Sequence, residues 1–225
     1  MKILYRRDQV ILKNSFRKEY KFQSDIDNSG KYLDWIKKNS VMLFPKRTVQ
    51  SIYYDTLNFS LYKNSIFDDT DRFKIRFRNY RETPDEIYKE VKRNTRNGKF
   101  KTSEITKYNN LNELGILYYE GVQYFPKSFV SYTREYYLSN NSRITYDRDI
   151  VYRSVDKNFN KFYKSKKVII EFKLDDTQIL EENYISKNLL FSKHTSIEGN
   201  LFGNPEKFSK YVDSVEKLNL INEIY

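Results

Sequence analysis

The sequence predicts an α+β protein whose residues 1–225 form a single domain: an antiparallel β-barrel tunnel of about eight strands, with a charged lumen and flanking helices. Three observations predict it. Apolar and charged residues alternate with a period of two in seven separate segments. Those segments do not alternate with helices in a βαβ rhythm. And the charged phase of the Arg72–Arg78 strand consists of four cations, which a simple solvated face would mix with acids.

In chain order, Phe16-Arg17-Lys18-Glu19-Tyr20-Lys21-Phe22 places Phe16, Tyr20 and Phe22 on one face with Lys18, and Arg17, Glu19 and Lys21 on the other. Ser51-Ile52-Tyr53-Tyr54-Asp55 reads as a second strand. Arg72-Phe73-Lys74-Ile75-Arg76-Phe77-Arg78 is the clearest, with Phe73, Ile75 and Phe77 opposed to four cations. Glu86 to Arg93 follows, with Tyr88, Glu90 and Lys92 in phase; then Val130 to Tyr137, with Tyr132, Arg134 and Tyr136 together. Arg143-Ile144-Thr145-Tyr146-Asp147 and Val168 to Lys173 complete the set, the latter with Ile169, Glu171 and Lys173 on one side. Asn94 to Gly98 reads as a flexible hairpin loop, whose Arg93, Arg96, Lys99 and Lys101 could guide anions.

Two helices are expected. Asp27-Asn28-Ser29 can cap one running through Trp35 and Lys38. Asn204-Pro205-Glu206 combines an N-cap residue, Pro at the first position and an acid in the first turn, followed by the stripe Phe208, Tyr211, Val212, Val215 and Leu218. Lys207 and Lys210 lie one turn apart on its flank.

Composition narrows the chemistry. The 225 residues include 21 Tyr and 16 Phe but only 6 Gly and 4 Pro, which suits strands and leaves no linker. No cysteine is present, so disulfides, thiol catalysis and thiolate metal sites are excluded. The one histidine, His194, reads as an ordinary partly exposed residue. Any metal must then be hard and oxygen-ligated, such as Mg²⁺ or Mn²⁺. No apolar run is long enough to span a bilayer, and charges begin at Lys2, so a soluble cytoplasmic protein is expected, with membrane contact only through a membrane-protein partner. The excess of 41 Lys+Arg over 30 Asp+Glu leaves +11, which points to a polyanionic ligand.

Alternation by itself fits any half-exposed antiparallel strand. Arg72, Lys74, Arg76 and Arg78, however, would stand roughly 6.6 Å apart along one strand and repel one another unless anions lie near. If the strands close into one sheet, the simplest solution sends the charges inward and the aromatics outward. Such a lumen persists only if it is wet and its charges are compensated.

The segments Arg17-Lys18-Glu19-Tyr20-Lys21-Phe22, Ser51-Ile52-Tyr53-Tyr54-Asp55-Thr56 and Arg72 to Arg78, followed by Glu90-Val91-Lys92-Arg93, Ser131-Tyr132-Thr133-Arg134, Arg143 to Asp147, Glu171-Phe172-Lys173 and Phe208-Ser209-Lys210-Tyr211, resemble a VTC domain. VTC domains are the polyphosphate polymerase branch of the CYTH, or triphosphate tunnel metalloenzyme, superfamily. The resemblance runs from about Phe16 to Tyr211 and rests on shared order and spacing. It implies a basic β-tunnel in which the γ-phosphate of ATP is transferred to a growing polyphosphate chain with Mn²⁺ or Mg²⁺ bound. It further implies that Lys21, Arg76, Arg78, Lys92, Arg134, Arg143 and Lys210 grip phosphates, with Lys74, Lys101, Lys173 and Lys207 extending the set. Lys21, Arg76, Arg78 and Arg134 would act at the reacting group, and Glu171 would be the principal metal ligand, with Glu19 and Glu90 as lesser ones.

Hydrolytic members carry Glu-x-Glu-x-Lys on the first strand. Here Arg17 replaces the first acid, which favours the VTC branch, while Glu19 is kept. A second Phe-Ser-Lys at Phe191-Ser192-Lys193 competes with Phe208-Ser209-Lys210 for the last lysine; the capped helix and Tyr211 favour Lys210. Alternatives to a polymerase are a metal-dependent tripolyphosphatase, or a module that binds polyphosphate without turnover. A nucleic-acid partner is not expected, since no RNA-binding motif or basic arm is evident.

Overall fold

The computed structural model describes residues 13–14, 19–67, 70–96, 98–108, 110–139, 142–156, 160–174 and 201–221. Arg17, His194 and the Phe191-Ser192-Lys193 alternative lie outside the described residues. The strands are β1 (Lys13–Asn14), β2 (Glu19–Asp25), β3 (Val41–Asp55), β4 (Arg72–Tyr80), β5 (Thr83–Thr95), β6 (Gly98–Ile105), β7 (Leu117–Tyr119), β8 (Val122–Ser139), β9 (Ser142–Ser154), β10 (Phe162–Lys164) and β11 (Lys167–Leu174). They pair antiparallel in the order β1-β6-β5-β4-β3-β8-β9-β11-β2, with β7 on β8 and β10 on β9. Helices α1 (Gly30–Asn39), α2 (Ser60–Ile66) and α3 (Lys210–Lys217) flank the sheet.

The sheet is curved, and its two faces are unlike. On the outer face, Ile75 and Phe77 of β4 join Ile52, Tyr54, Ile87 and Val91 in a cluster covered by Leu61 of α2 and by Leu111 and Leu114. Phe22, Ile144, Ile170 and Phe172 form a second outer cluster, covered by Ile36 of α1 and by Phe202. Phe202 meets the rings of both Phe22 and Phe172. The inner face carries the cations at one end and a third apolar cluster at the other. There Val49, Tyr53, Val130, Tyr132, Ile150, Tyr152 and Ile169 pack against Tyr211, Val215 and Leu218 of α3. Burying Val215 and Leu218 this fully contributes roughly 1.5–3 kcal/mol each.

Three expectations are corrected. Aromatics do not all face outward, because Tyr53, Tyr132 and Tyr152 are needed on the inner face to pack α3. The last helix begins at Lys210, not at Pro205: Ser209 is its N-cap, with its Oγ accepting from the Val212 amide, while residues 205–209 run alongside β2 through a Glu206 N–H to Lys21 C=O bond of 2.8 Å. The expected loop after Asn94 is a short turn instead, since β5 runs to Thr95 and β6 resumes at Gly98. Among the described residues the backbone ladder runs from β1 to β2 with no hydrogen bond joining these two end strands. Side chains link β2 to the strands near the other end of that path: Glu19 of β2 receives Lys92 of β5 at 3.0 Å and meets Lys99 of β6 at 4.0 Å.

Candidate functional site

The concave face encloses a cavity of about 890 Å³. Among the described residues, thirteen Lys or Arg side chains and four Glu side chains line it, a strongly cationic wall. All fourteen residues singled out from the sequence lie on that lining: Lys21, Lys74, Arg76, Arg78, Lys92, Lys101, Arg134, Arg143, Lys173, Lys207 and Lys210, with Glu19, Glu90 and Glu171.

One wall is built by β4, β5 and β6. The antiparallel register puts Arg76 opposite Glu90, so a carboxylate stands among the cations of β4. Arg76 pairs with Glu90 at 2.5 Å, Arg78 approaches it at 3.7 Å, and Lys101 donates to its other oxygen. Arg76 also donates to the Tyr53 hydroxyl and Arg78 to the Tyr132 hydroxyl, each at 3.0 Å. Burial would raise the Glu90 carboxyl, but Arg76, Arg78 and Lys101 hold it well below the usual range. The same guanidiniums outweigh burial at Tyr53 and bring its phenol below the ordinary value.

The opposite wall comes from β2, β11 and β9. Glu171 lies opposite Lys21 on one side and Thr145 on the other. Lys173 bridges the two carboxylates, 3.5 Å from Glu171 and 3.6 Å from Glu19. Burial opposes ionisation of Glu171, yet Lys173, Lys21 and Arg134 hold its carboxyl far below the usual range; Glu19 is lowered by Lys92 and Lys173 in the same way.

Between the walls, Arg134 forks onto Asp147 at 2.5 and 2.6 Å, and Lys210 reaches the same carboxylate at 2.6 Å. Asp147 is 1 % exposed, so it fixes two cations without offering a surface of its own. The segment before α3 crosses the cavity rim. Lys21 donates to the Phe208 carbonyl at 2.9 Å, and Lys74 donates to Ser209 Oγ at 2.8 Å. Lys74 is lowered to about 7, first by burial and then by Lys21, Lys92, Arg72 and Lys207 around it.

Sequence reading passed over four members of this site. Tyr53 and Tyr132 orient the arginines, Asp147 orients Arg134 and Lys210, and Ser209 contacts Lys74. Tyr132 and Asp147 were in phase with Arg134 and Arg143 on their strands, which is the signal that could have marked them. Tyr53 and Ser209 gave no such signal.

As a donor set for a metal, Glu171 and Glu19 are two ionised carboxylates joined through one lysine. Among the described residues no three potential His, Cys, Asp or Glu ligands converge. That set fits Mg²⁺ or Mn²⁺, which bind through one or two carboxylates with substrate phosphates and water completing the shell. Glu90 fits less well, because Arg76 and Lys101 each hydrogen-bond one of its two oxygens, whereas the ammonium groups nearest Glu171 stand 3.5 Å or more away. Among the described residues, no helix is long and apolar enough to cross a membrane.

The chain matches the VTC domain over residues 16–219. No curated protein sequence matches it. Among solved structures, a Pyrococcus horikoshii protein is similar at 14% identity and a TM-score of 0.53, covering 90% of this chain and 99% of that one. A candidate adenylate cyclase from Vibrio parahaemolyticus is similar at 15% identity and a TM-score of 0.51, again covering 90% and 99%. At such identities the likeness is one of fold.

Proposed function

The chain belongs to the VTC domain family, and from that premise we propose that it is a polyphosphate polymerase, transferring the γ-phosphate of ATP to a growing inorganic polyphosphate chain inside a basic tunnel. The observation that carries this reading is the convergence on one cavity of eleven predicted phosphate-binding cations, nine from seven strands and two, Lys207 and Lys210, from the segment before α3 and from its start. Closure of the tunnel wall belongs to the same reading and is supported by the Glu19 ion pairs that link β2 to β5 and β6.

Phosphoryl transfer depends on alignment and charge neutralisation more than on a protein nucleophile. An oxygen of the acceptor chain's terminal phosphate attacks the γ-phosphorus and forms the new P–O–P bond. The bond from that phosphorus to the β,γ-bridging oxygen breaks, and ADP leaves with the electron pair. The attacking oxygen is already anionic, so no general base is needed. Arg76 and Arg78, fixed by Glu90, Tyr53 and Tyr132, hold the transferred group as charge spreads over its oxygens. Arg134 and Lys210, aligned by Asp147, hold the neighbouring phosphates with Lys21. Lys74, Lys92, Lys101, Arg143, Lys173 and Lys207 bind the rest of the chain. Glu171, with Glu19 beside it, would hold Mn²⁺ or Mg²⁺, which supplies charge neutralisation at the phosphate oxygens. Glu90 serves to position Arg76 and Arg78. The partners are ATP and inorganic polyphosphate or triphosphate rather than nucleic acid, and the use of ATP makes this a cytoplasmic reaction.

Incubation with ATP and Mn²⁺, with products resolved by chain length, tests the proposal. Long phosphate chains with ADP are expected. Free phosphate alone would identify a hydrolase, and unchanged ATP with tight polyphosphate binding would identify a binding module; either result would overturn the polymerase reading.

A further inference from the structure

Two donors on β9 have no partner although both are buried: Nε of Arg143 and Oγ1 of Thr145. They stand two residues apart on one strand, so both belong to the face that lines the cavity. Thr145 is 1 % exposed. A hydroxyl so buried ordinarily has a hydrogen-bond partner, and each exception calls for a reason. Its cross-strand neighbours are Glu171 of β11 and Tyr136 of β8. Arg143 stands opposite Lys173, whose charge is met by Glu171 at 3.5 Å and Glu19 at 3.6 Å, whereas among the described residues no carboxylate pairs with Arg143.

A water molecule could satisfy the hydroxyl, but it would leave the Arg143 guanidinium without a counter-charge. A phosphate oxygen answers both requirements at once. We propose that Thr145 is a substrate-binding residue: its hydroxyl and Arg143 Nε together form a phosphate subsite on the β9–β11 wall, beside Glu171. The subsite rests on the proposed function, since its ligand is one phosphate of the bound chain. It separates the two walls by role. Glu90 already anchors Arg76 and Arg78, whereas these two donors of β9 are left unpaired.

The test compares wild type, Thr145→Val and Thr145→Ser for tripolyphosphate affinity by calorimetry, and for melting temperature without ligand. Valine keeps the shape of threonine and removes the hydroxyl. Its affinity should fall about tenfold or more, the loss of one hydrogen bond to a charged group. Its melting temperature should stay level or rise, because a partnerless buried hydroxyl is removed. Serine restores the donor and should bind within about threefold of wild type; Arg143→Lys, which lacks Nε, should weaken binding as valine does. Wild-type affinity in the valine variant overturns the subsite while leaving the proposed function in place. A valine variant that no longer folds, or that melts well below wild type, contradicts it too, by showing that the hydroxyl is structural. Wild-type protein that binds no tripolyphosphate removes both the subsite and the function on which it rests.

Discussion

The two ends of the concave face are made by the same strands with the same phase, yet one is ionic and open and the other apolar and filled. On β11, Ile169 packs in the α3 cluster, while Glu171 and Lys173, two and four residues on, line the cavity. On β8, Val130 packs beneath α3, and Arg134 stands over Asp147. β9 makes the same change across a bulge at Arg148–Asp149, where Asp149 has φ 54 and the register shifts by one residue. Ile150 and Tyr152 thereby return to the inner face that Thr145 and Asp147 occupy. Alternation selects the face, whereas position along the strand selects the solvent. α3 makes the difference, since its apolar side fills one end and its first residue, Lys210, belongs to the other.

Two buried carboxylates divide along the same line. Asp147 is held ionised by Arg134 and Lys210. Asp55 is surrounded by dipoles: its carboxylate accepts from the amides of Thr56, Leu61 and Tyr62 and from the Tyr211 hydroxyl. Burial outweighs those bonds and raises its pKa. Asp55 thus ties β3, α2 and α3 together, and so fixes where Lys210 begins.

Substitutions at the two ends should therefore separate catalysis from stability. The largest catalytic effect is expected from Glu171→Gln, which should lower metal-dependent turnover by about 100-fold or more and leave tripolyphosphate affinity within about threefold. Steady-state rates beside calorimetry check this, and a wild-type rate would remove Glu171 from the site. At the filled end, Asp55→Ala leaves several buried donors unsatisfied and should cost about 2–4 kcal/mol in urea unfolding. An unchanged midpoint would show that α3 is not anchored there.

A smaller effect should follow pH. With a pKa of about 7, Lys74 is charged below pH 7 in the free protein and largely neutral above it. Bound phosphate favours the charged form, so Lys74 takes up a proton on binding at pH 8 but not at pH 6, and affinity falls several-fold as pH rises between them. Calorimetry in two buffers of different ionisation enthalpy measures the uptake, and Lys74→Met should abolish it. The smallest effect is expected from Tyr152→Phe, which removes the bond to Asp213 and should cost about 0.5–1.5 kcal/mol of stability with no change in phosphate affinity.

Much of this was legible in the sequence because the period of a strand is a local property. The faces of β4 and β11 follow from Arg72 to Arg78 and from Val168 to Lys173 alone. What could not be read locally depends on register and on packing between distant segments. The partners of Glu90 appear only once β4 and β6 are laid beside β5, which brings Arg76, Arg78 and Lys101 around it. Tyr53 looks like an outer-wall aromatic until α3 is known to occupy the inner face, where Tyr53 stacks on Tyr211. Asn204-Pro205 has every local mark of a helix start. The Glu206 amide bonds the Lys21 carbonyl instead, which keeps the segment extended until Ser209.

The central claim is that position inside the cavity, and not net charge, makes the phosphate site. At pH 6, where Lys74 is charged, each of four single substitutions removes one positive charge: Lys74→Ala and Lys173→Ala within the cavity, Lys37→Ala and Lys164→Ala on the exposed outer surface. Tripolyphosphate affinity at fixed ionic strength should fall about tenfold or more for the first two and less than about twofold for the second two. Equal losses in all four would mean that the anion is drawn to a diffuse positive surface and that the cavity is not its site.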